Sequence, residues 1–299
     1  MGKKQLLAIG ICAILTAVYF GIKIYTVNIA KIEVNKVIAN LSDVADIKYE
    51  NVDVNLFNMS VIISDILISP IDTNSIGTNS IDKTDNTMKI KEIIIYDITY
   101  NRNMPVLLSV MCREIELSVE HLGEMGKKLN TLGYNDKITT DLFVNYTYDL
   151  EKNELNIKNS GIKAKNVGEI IINLNISDIN LAPEAIIGIF FTFPQIMLHN
   201  AKVEYKDDSL FERFLKLTAD KEHINVTDFK NFIITKIKQD IKQENDTFIR
   251  TVLSKIENFI EDPDELSITA YPASPVSISS ILSVNSPKDC IKMLNLQIQ

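Results

Sequence analysis

The chain has 299 residues, 46% hydrophobic and 23% charged, a balance that excludes a disordered protein and leaves a folded one with a real core. A net charge of −8 opposes nucleic-acid phosphates, and no Lys/Arg patch interleaved with aromatics offsets it, so no nucleic-acid partner is expected. Three cysteines and three scattered histidines give no metal-ligand spacing, the ten glycines form no phosphate loop, and no G-x-S-x-G elbow accompanies the serines. No catalytic residue, metal or cofactor is expected, and the chain reads as non-enzymatic.

Residues 6–22, LLAIGICAILTAVYFGI, carry no charge. At about 1.5 Å per residue, 6–27 matches a bilayer core of roughly 30 Å. Bulky Val18, Tyr19 and Phe20 stand where signal cleavage needs small residues, Cys12 follows Ile11 rather than a small residue, and Leu6 stands where myristoylation needs a hydroxyl. The pattern predicts a cytoplasmic tail at 1–5, an uncleaved transmembrane anchor at 6–27 and a body outside the cytoplasm. That makes an inner-membrane, single-pass protein with its body in the periplasm. A juxtamembrane amphipathic helix follows at 28–45, with Ile29, Ile32, Val37, Ile38 and Leu41 at helical spacing.

From Asp46 the period changes to two. Ile47, Tyr49, Val52, Val54 and Leu56, a turn at Phe57-Asn58-Met59, and Val61, Ile63 and Ile68 predict a β-hairpin. Residues 72–87, rich in Ser, Thr, Asn and Asp, predict an exposed loop. Strands are expected at 88–100 and 114–119, and a short helix at 121–132 closed by Gly133. A meander then runs through 138–150, 155–157, 169–181 and 197–205, interrupted by a short helix at 183–192. This makes 46–206 a β-rich domain. The section 207–299 reads as mainly helical: Ser209-Leu-Phe-Glu212 is a capping box, Thr227 or Asp228 caps a second helix, and 245–259 forms a third. One strand at 266–271 and another near the C-terminus join it. The expected fold is α+β: an N-terminal transmembrane helix, a long antiparallel sheet of hairpins and a helical C-terminal section packed on it.

Helices laid on a twisted sheet leave room for an apolar groove that accepts an acyl chain, with Phe190, Phe191, Phe193, Phe211 and Phe214 as its lining; a filled core uses the same residues. Cys112 and Cys290 either form a disulfide or stand as separate buried thiols. The acidic cluster Glu261, Asp262, Asp264 and Glu265 lacks the spacing of a calcium loop and reads as a helix end with a solvated turn.

The hairpin from Tyr49 to Ile68, YENVDVNLFNMSVIISDILI, resembles the opening of AsmA-like envelope proteins of Gram-negative bacteria. Leu132-Gly-Tyr-Asn, Val144-Asn-Tyr-Thr-Tyr-Asp, Val203-Glu-Tyr-Lys-Asp-Asp-Ser-Leu, Phe259-Ile-Glu-Asp-Pro and Leu294-Asn-Leu are similar to stretches of membrane-anchored bacterial proteins. The resemblance implies a periplasmic β-rich body serving outer-membrane upkeep or phospholipid movement. Membrane, lipid and other envelope proteins are the expected partners, either through lipid binding or through an adaptor role without a small ligand.

Overall fold

The computed structural model describes the backbone of residues 3–71, 87–101, 104–182 and 188–299, and their side chains except those of 3–15, Ile189, Phe190 and Pro287. Twelve strands lie among the described residues, and every pairing detailed below is antiparallel. The chain divides into two compact units, Met1–Tyr96 with Met111–Ile115, and Asp97–Val110 with Glu116–Gln299.

In the first unit, α1 (Lys3–Asn40) is a single helix of 38 residues. Its half-buried positions Lys23, Val27, Ala30, Val34 and Ile38 recur at helical spacing and face the strands. Lys23 Nζ pairs with Asp53 Oδ2 at 3.1 Å, and the Tyr49 hydroxyl donates to Asn35 Oδ1 at 2.9 Å. Burial pushes the Asp53 carboxyl up, but Lys23 and the Val54 N–H outweigh it and hold the group below its ordinary value.

Strands β1 (Ala45–Lys48) and β2 (Asn51–Asn55) both pair with β3 (Ser60–Pro70), through Ala45↔Pro70 and Val52↔Ile63. The predicted hairpin is present, and Met59, at φ 56°, closes its turn. The register of β3 with β4 (Met88–Asn101) sets Ile62 opposite Ile94. Val52, Val54, Ile63, Ile66, Ile90 and Ile94 are buried. Strand β5 (Met104–Ser118) supplies Arg113, which pairs with Glu92 at 3.2 Å.

The second unit begins its own core with a 3-10 turn at Val119–Leu122 and α2 (Gly123–Thr131), after which Gly133 adopts φ 85°. A meander follows: β6 (Lys137–Asp149), β7 (Glu154–Ala164), β8 (Gly168–Ser177) and β9 (Met197–Asp207), with α3 (Ile189–Thr192) before β9. Then come α4 (Leu210–Lys221), α5 (Val226–Gln243), α6 (Thr247–Glu261) and β10 (Glu265–Ala270). The chain finishes with β11 (Val276–Ser277), α7 (Ile278–Leu282), α8 (Pro287–Leu294) and β12 (Gln297–Ile298). Strand order here is β6-β7-β8-β9-β10-β12, with β11 also on β9.

This corrects the expected fold class and localisation. Among the described residues no helix is long and apolar enough to cross a membrane, so neither a transmembrane anchor at 6–27 nor a single-pass inner-membrane protein is supported. The side chains of 3–15, the first part of that anchor, lie outside the described residues. From Thr16 onward the helix carries Lys23, Lys31, Glu33 and Lys36, and Lys23 is engaged by a strand carboxylate. The predicted juxtamembrane helix at 28–45 is no separate element: it continues α1 as far as Asn40, and Ala45 already begins β1. Nor does the sheet stop at residue 206, because β10, β11 and β12 of the C-terminal section pair into it. The predicted loop lies outside the described residues over 72–86, as does 183–187 of the predicted 183–192 helix.

The helix caps also differ from the sequence motifs. Ser209 makes no side-chain cap bond; Asp207 Oδ1 accepts the Phe211 N–H at 2.9 Å instead. Asn225 rather than Thr227 or Asp228 caps α5. Asp246 caps α6, accepting from the Phe248 and Ile249 N–H groups, and pairs with Lys288 Nζ at 2.7 Å. The Lys288 bond, with the two cap bonds and against desolvation, holds the Asp246 carboxyl below its ordinary 3.8. A carboxyl depressed in the folded state adds stability above its unfolded pKa and loses it as pH falls through the folded value. Asp246→Asn is therefore expected to lower Tm at neutral pH. Melting curves in an acid series should show the gap from the wild type closing as pH drops below 3.8; a constant gap would count against the ionic contribution.

Candidate functional site

The candidate site is built by strand alternation in the second unit. Opposed residues share a face, and two registers run across the strands: Leu142–Ile162–Ile170–Tyr205–Leu266, and beside it Ile172–Val203–Ile268–Ile298. The other face carries Lys163, Glu169, Lys206 and Glu265 in one register, with Lys202 and Glu204 nearby. Lys206 and Glu265 pair across strands at 3.4 Å, and Lys202 with Glu204 at 2.9 Å. The sheet is amphipathic, so its apolar side calls for cover.

That cover is present at both ends of the apolar face. At one end Met104, Tyr148, Ile176, Ile179, Ile196, Leu198, Ala270 and Leu294 form a core, with Ile281 and Cys290 of α7 and α8 packed against it. The buried Tyr148 hydroxyl donates to the Ile179 carbonyl at 2.8 Å. At the other end Val119, Tyr134 and Ile138 form a second core with Leu129, Ala164, Val167 and Leu210. The Tyr134 hydroxyl lies 2.9 Å from Ser209 Oγ and 3.2 Å from the Asn166 carbonyl.

Between these cores the sheet is open. Leu142, Ile162, Ile170, Ile172, Val203 and Ile268 each keep 38–41% of their surface in solvent. Single exposed aliphatic residues are ordinary; six that adjoin across five strands are a contiguous apolar strip rimmed by polar sequence. Four strand intervals of about 4.8 Å make it roughly 19 Å long. Its Tyr205 side is walled by Phe259, whose ring lies 6.0 Å from Tyr205 and 5.1 Å from Phe211. Burial, with the Asp207 carboxylate that accepts the Tyr205 hydroxyl, holds that phenol well above its usual range, so it stays neutral.

The phenylalanines singled out from the sequence do not gather into one wall. Phe191 and Phe193 precede β9 and are exposed, the first at 83%; the Phe190 side chain lies outside the described residues. Phe211 and Phe214 follow β9, where Phe211 packs on Phe259 and Phe214 is exposed. Eleven residues of strand separate the two groups by about 33 Å. The six strip residues were not singled out by sequence. Alternation marks their face, but nothing local marks it as uncovered.

Cys112 and Cys290 are both free and half buried, and burial raises the Cys112 thiol. Glu261 pairs with Lys238 at 3.2 Å, and Glu265 with Lys206, so part of the acidic cluster is spent on ion pairs. Among the described residues no three His, Cys, Asp or Glu side chains are placed to hold a metal ion.

A family model described as "Uncharacterized protein" matches residues 161–299, just under half of the chain. The match begins within β7 and takes in every strip residue except Leu142. No curated protein matches the chain.

Proposed function

We propose that this protein is a non-enzymatic binding protein that holds an aliphatic ligand, a lipid acyl chain, against the open strip of β6–β10. The observation that carries this reading is the contiguity of Leu142, Ile162, Ile170, Ile172, Val203 and Ile268 at about two-fifths exposure between two closed cores. An acyl chain laid there removes aliphatic surface from water, at about 25 cal/mol per Å², without requiring a polar partner along its length. Extraction of the purified full chain followed by mass spectrometry tests this. About one aliphatic lipid per chain is expected. A lipid-free protein that also fails to take up added hexadecanoate or its methyl ester would refute the reading.

A second reading, an adaptor that presents its surface to other proteins, is favoured by the first unit. Phe57, at the tip of the β2–β3 hairpin, is 92% exposed, with Met59 beside it and the Tyr19 ring 6.5 Å away. Aromatic and methionine side chains on a rigid turn are the composition of protein-binding anchors. A pull-down that depends on Phe57 would support the adaptor.

A further inference from the structure

Arg213 stands one turn into α4, and its guanidinium carbon lies 4.2 Å over the Tyr134 ring. Nη1 donates to the Leu132 carbonyl at 3.2 Å and the Gly133 carbonyl at 3.1 Å, and Nε donates to Ser209 Oγ at 3.2 Å. All of these partners are neutral. A guanidinium has five N–H donors, so both Nη2 hydrogens are left over, and among the described residues no carboxylate forms an ion pair with Arg213. By contrast, Arg113 is paired with Glu92. A half-buried cation held by two carbonyls, a hydroxyl and an aromatic ring has given up water without gaining an anion, and the two Nη2 hydrogens remain to donate to one.

The position of Arg213 relates it to the strip. Tyr134, the ring beneath it, packs in the same core as Ala164. Ala164 belongs to the register Thr140–Ala164–Gly168, which adjoins Leu142–Ile162–Ile170, the first row of the strip, at a spacing of two residues or about 7 Å. The guanidinium, stacked on Tyr134, therefore lies at the end of the sheet from which the strip's first row is one register in, with Tyr134 between them. Asp207 and Asp208 precede α4 and Glu212 lies in its first turn, with Lys206 and Lys216 beside them in sequence, so the charges around Arg213 are mixed. One guanidinium matches the single charge of a carboxylate rather than the two of a phosphate.

Resting on the strip reading, we infer that the ligand is a single-chain aliphatic carboxylate, its chain on Leu142, Ile162 and Ile170 and its carboxylate on the Nη2 edge of Arg213.

The test uses the full chain, freed of bound lipid, with hexadecanoate, its methyl ester and hexadecyl phosphate as probes, followed by native mass spectrometry and by displacement of a fluorescent aliphatic probe. Hexadecanoate is expected to bind at least about tenfold more tightly than the ester, as a charge-assisted pair requires. Arg213→Gln should remove that preference and leave ester binding unchanged; Arg213→Lys should keep part of it. The acid-against-ester comparison in the wild type needs no variant, so the inference stays testable if Arg213→Gln fails to fold. Equal binding of acid and ester would overturn the assignment of Arg213 while the strip reading stands. Retention of the preference in a folded Arg213→Gln would overturn it too, as would tighter binding of the phosphate. Failure of every aliphatic probe would sink the strip reading with it.

Discussion

Gly161→Ala is expected to destabilise the second unit by about 3 kcal/mol, at the upper end of what overpacking costs in a close-packed interior. Gly161 sits in β7 opposite Ile171, and a Cβ placed on it would lie 2.0 Å from the Ile170 carbonyl oxygen and 3.0 Å from the tip of the Phe143 ring. The ring tip can swing aside. The carbonyl is main chain in the adjoining strand and cannot move without opening the β7–β8 ladder. For a unit of this size the loss corresponds to a fall in Tm of about 10 °C. Gly21→Ala is the contrasting substitution: among the described residues, no atom beyond its chain neighbours and its own helix backbone lies within 4 Å of its Cβ position, and alanine in a helix is worth about 1 kcal/mol over glycine. Urea and thermal unfolding of both variants would decide the matter; an unchanged midpoint for Gly161→Ala would mean that the two strands are not held at this spacing.

Ile172→Asp is expected to leave the fold standing and to reduce aliphatic-ligand binding by at least about tenfold. Ile172 lies in the middle of the strip, opposite Val203, and is already 38% exposed. A carboxylate there stays hydrated in the free protein, so it costs folding little. Covering it with an alkyl chain strips that hydration without supplying a partner, a penalty well beyond the roughly 1.4 kcal/mol of a tenfold change. Lys163→Ala, on the polar side of the same sheet, is the control and should leave binding as it was. Ligand retained on Ile172→Asp at wild-type occupancy would place the binding site elsewhere on the molecule.

Local chemistry marked most of the strands and helices in advance. The alternation in 138–150 and 169–181 matches β6 and β8, and the helices over 245–259 and after Ser209 match α6 and α4. Two strands are read far too short, 114–119 for β5 and 155–157 for β7, and the second fails for a local reason of its own. Asn159 takes φ 47° at a register shift between Ile157 and Ser160, and this bulge resets the alternation that a sequence reading follows. The caps misled in a similar way, because Ser209 is drawn to the Asn166 carbonyl and Tyr134, distant in sequence, and leaves its own helix to Asp207.

By itself, then, the sequence determined the alternation of residues within each regular run of strand, because a strand's period is a property of its own backbone. Only the tertiary structure decided that the aliphatic face is covered at its ends and open at its centre, that Arg213 comes to rest over Tyr134, and that α1 continues past residue 27 with Lys23 on Asp53. Those outcomes depend on which distant segments arrive and where they stop. No periodicity within a segment records what will pack against it.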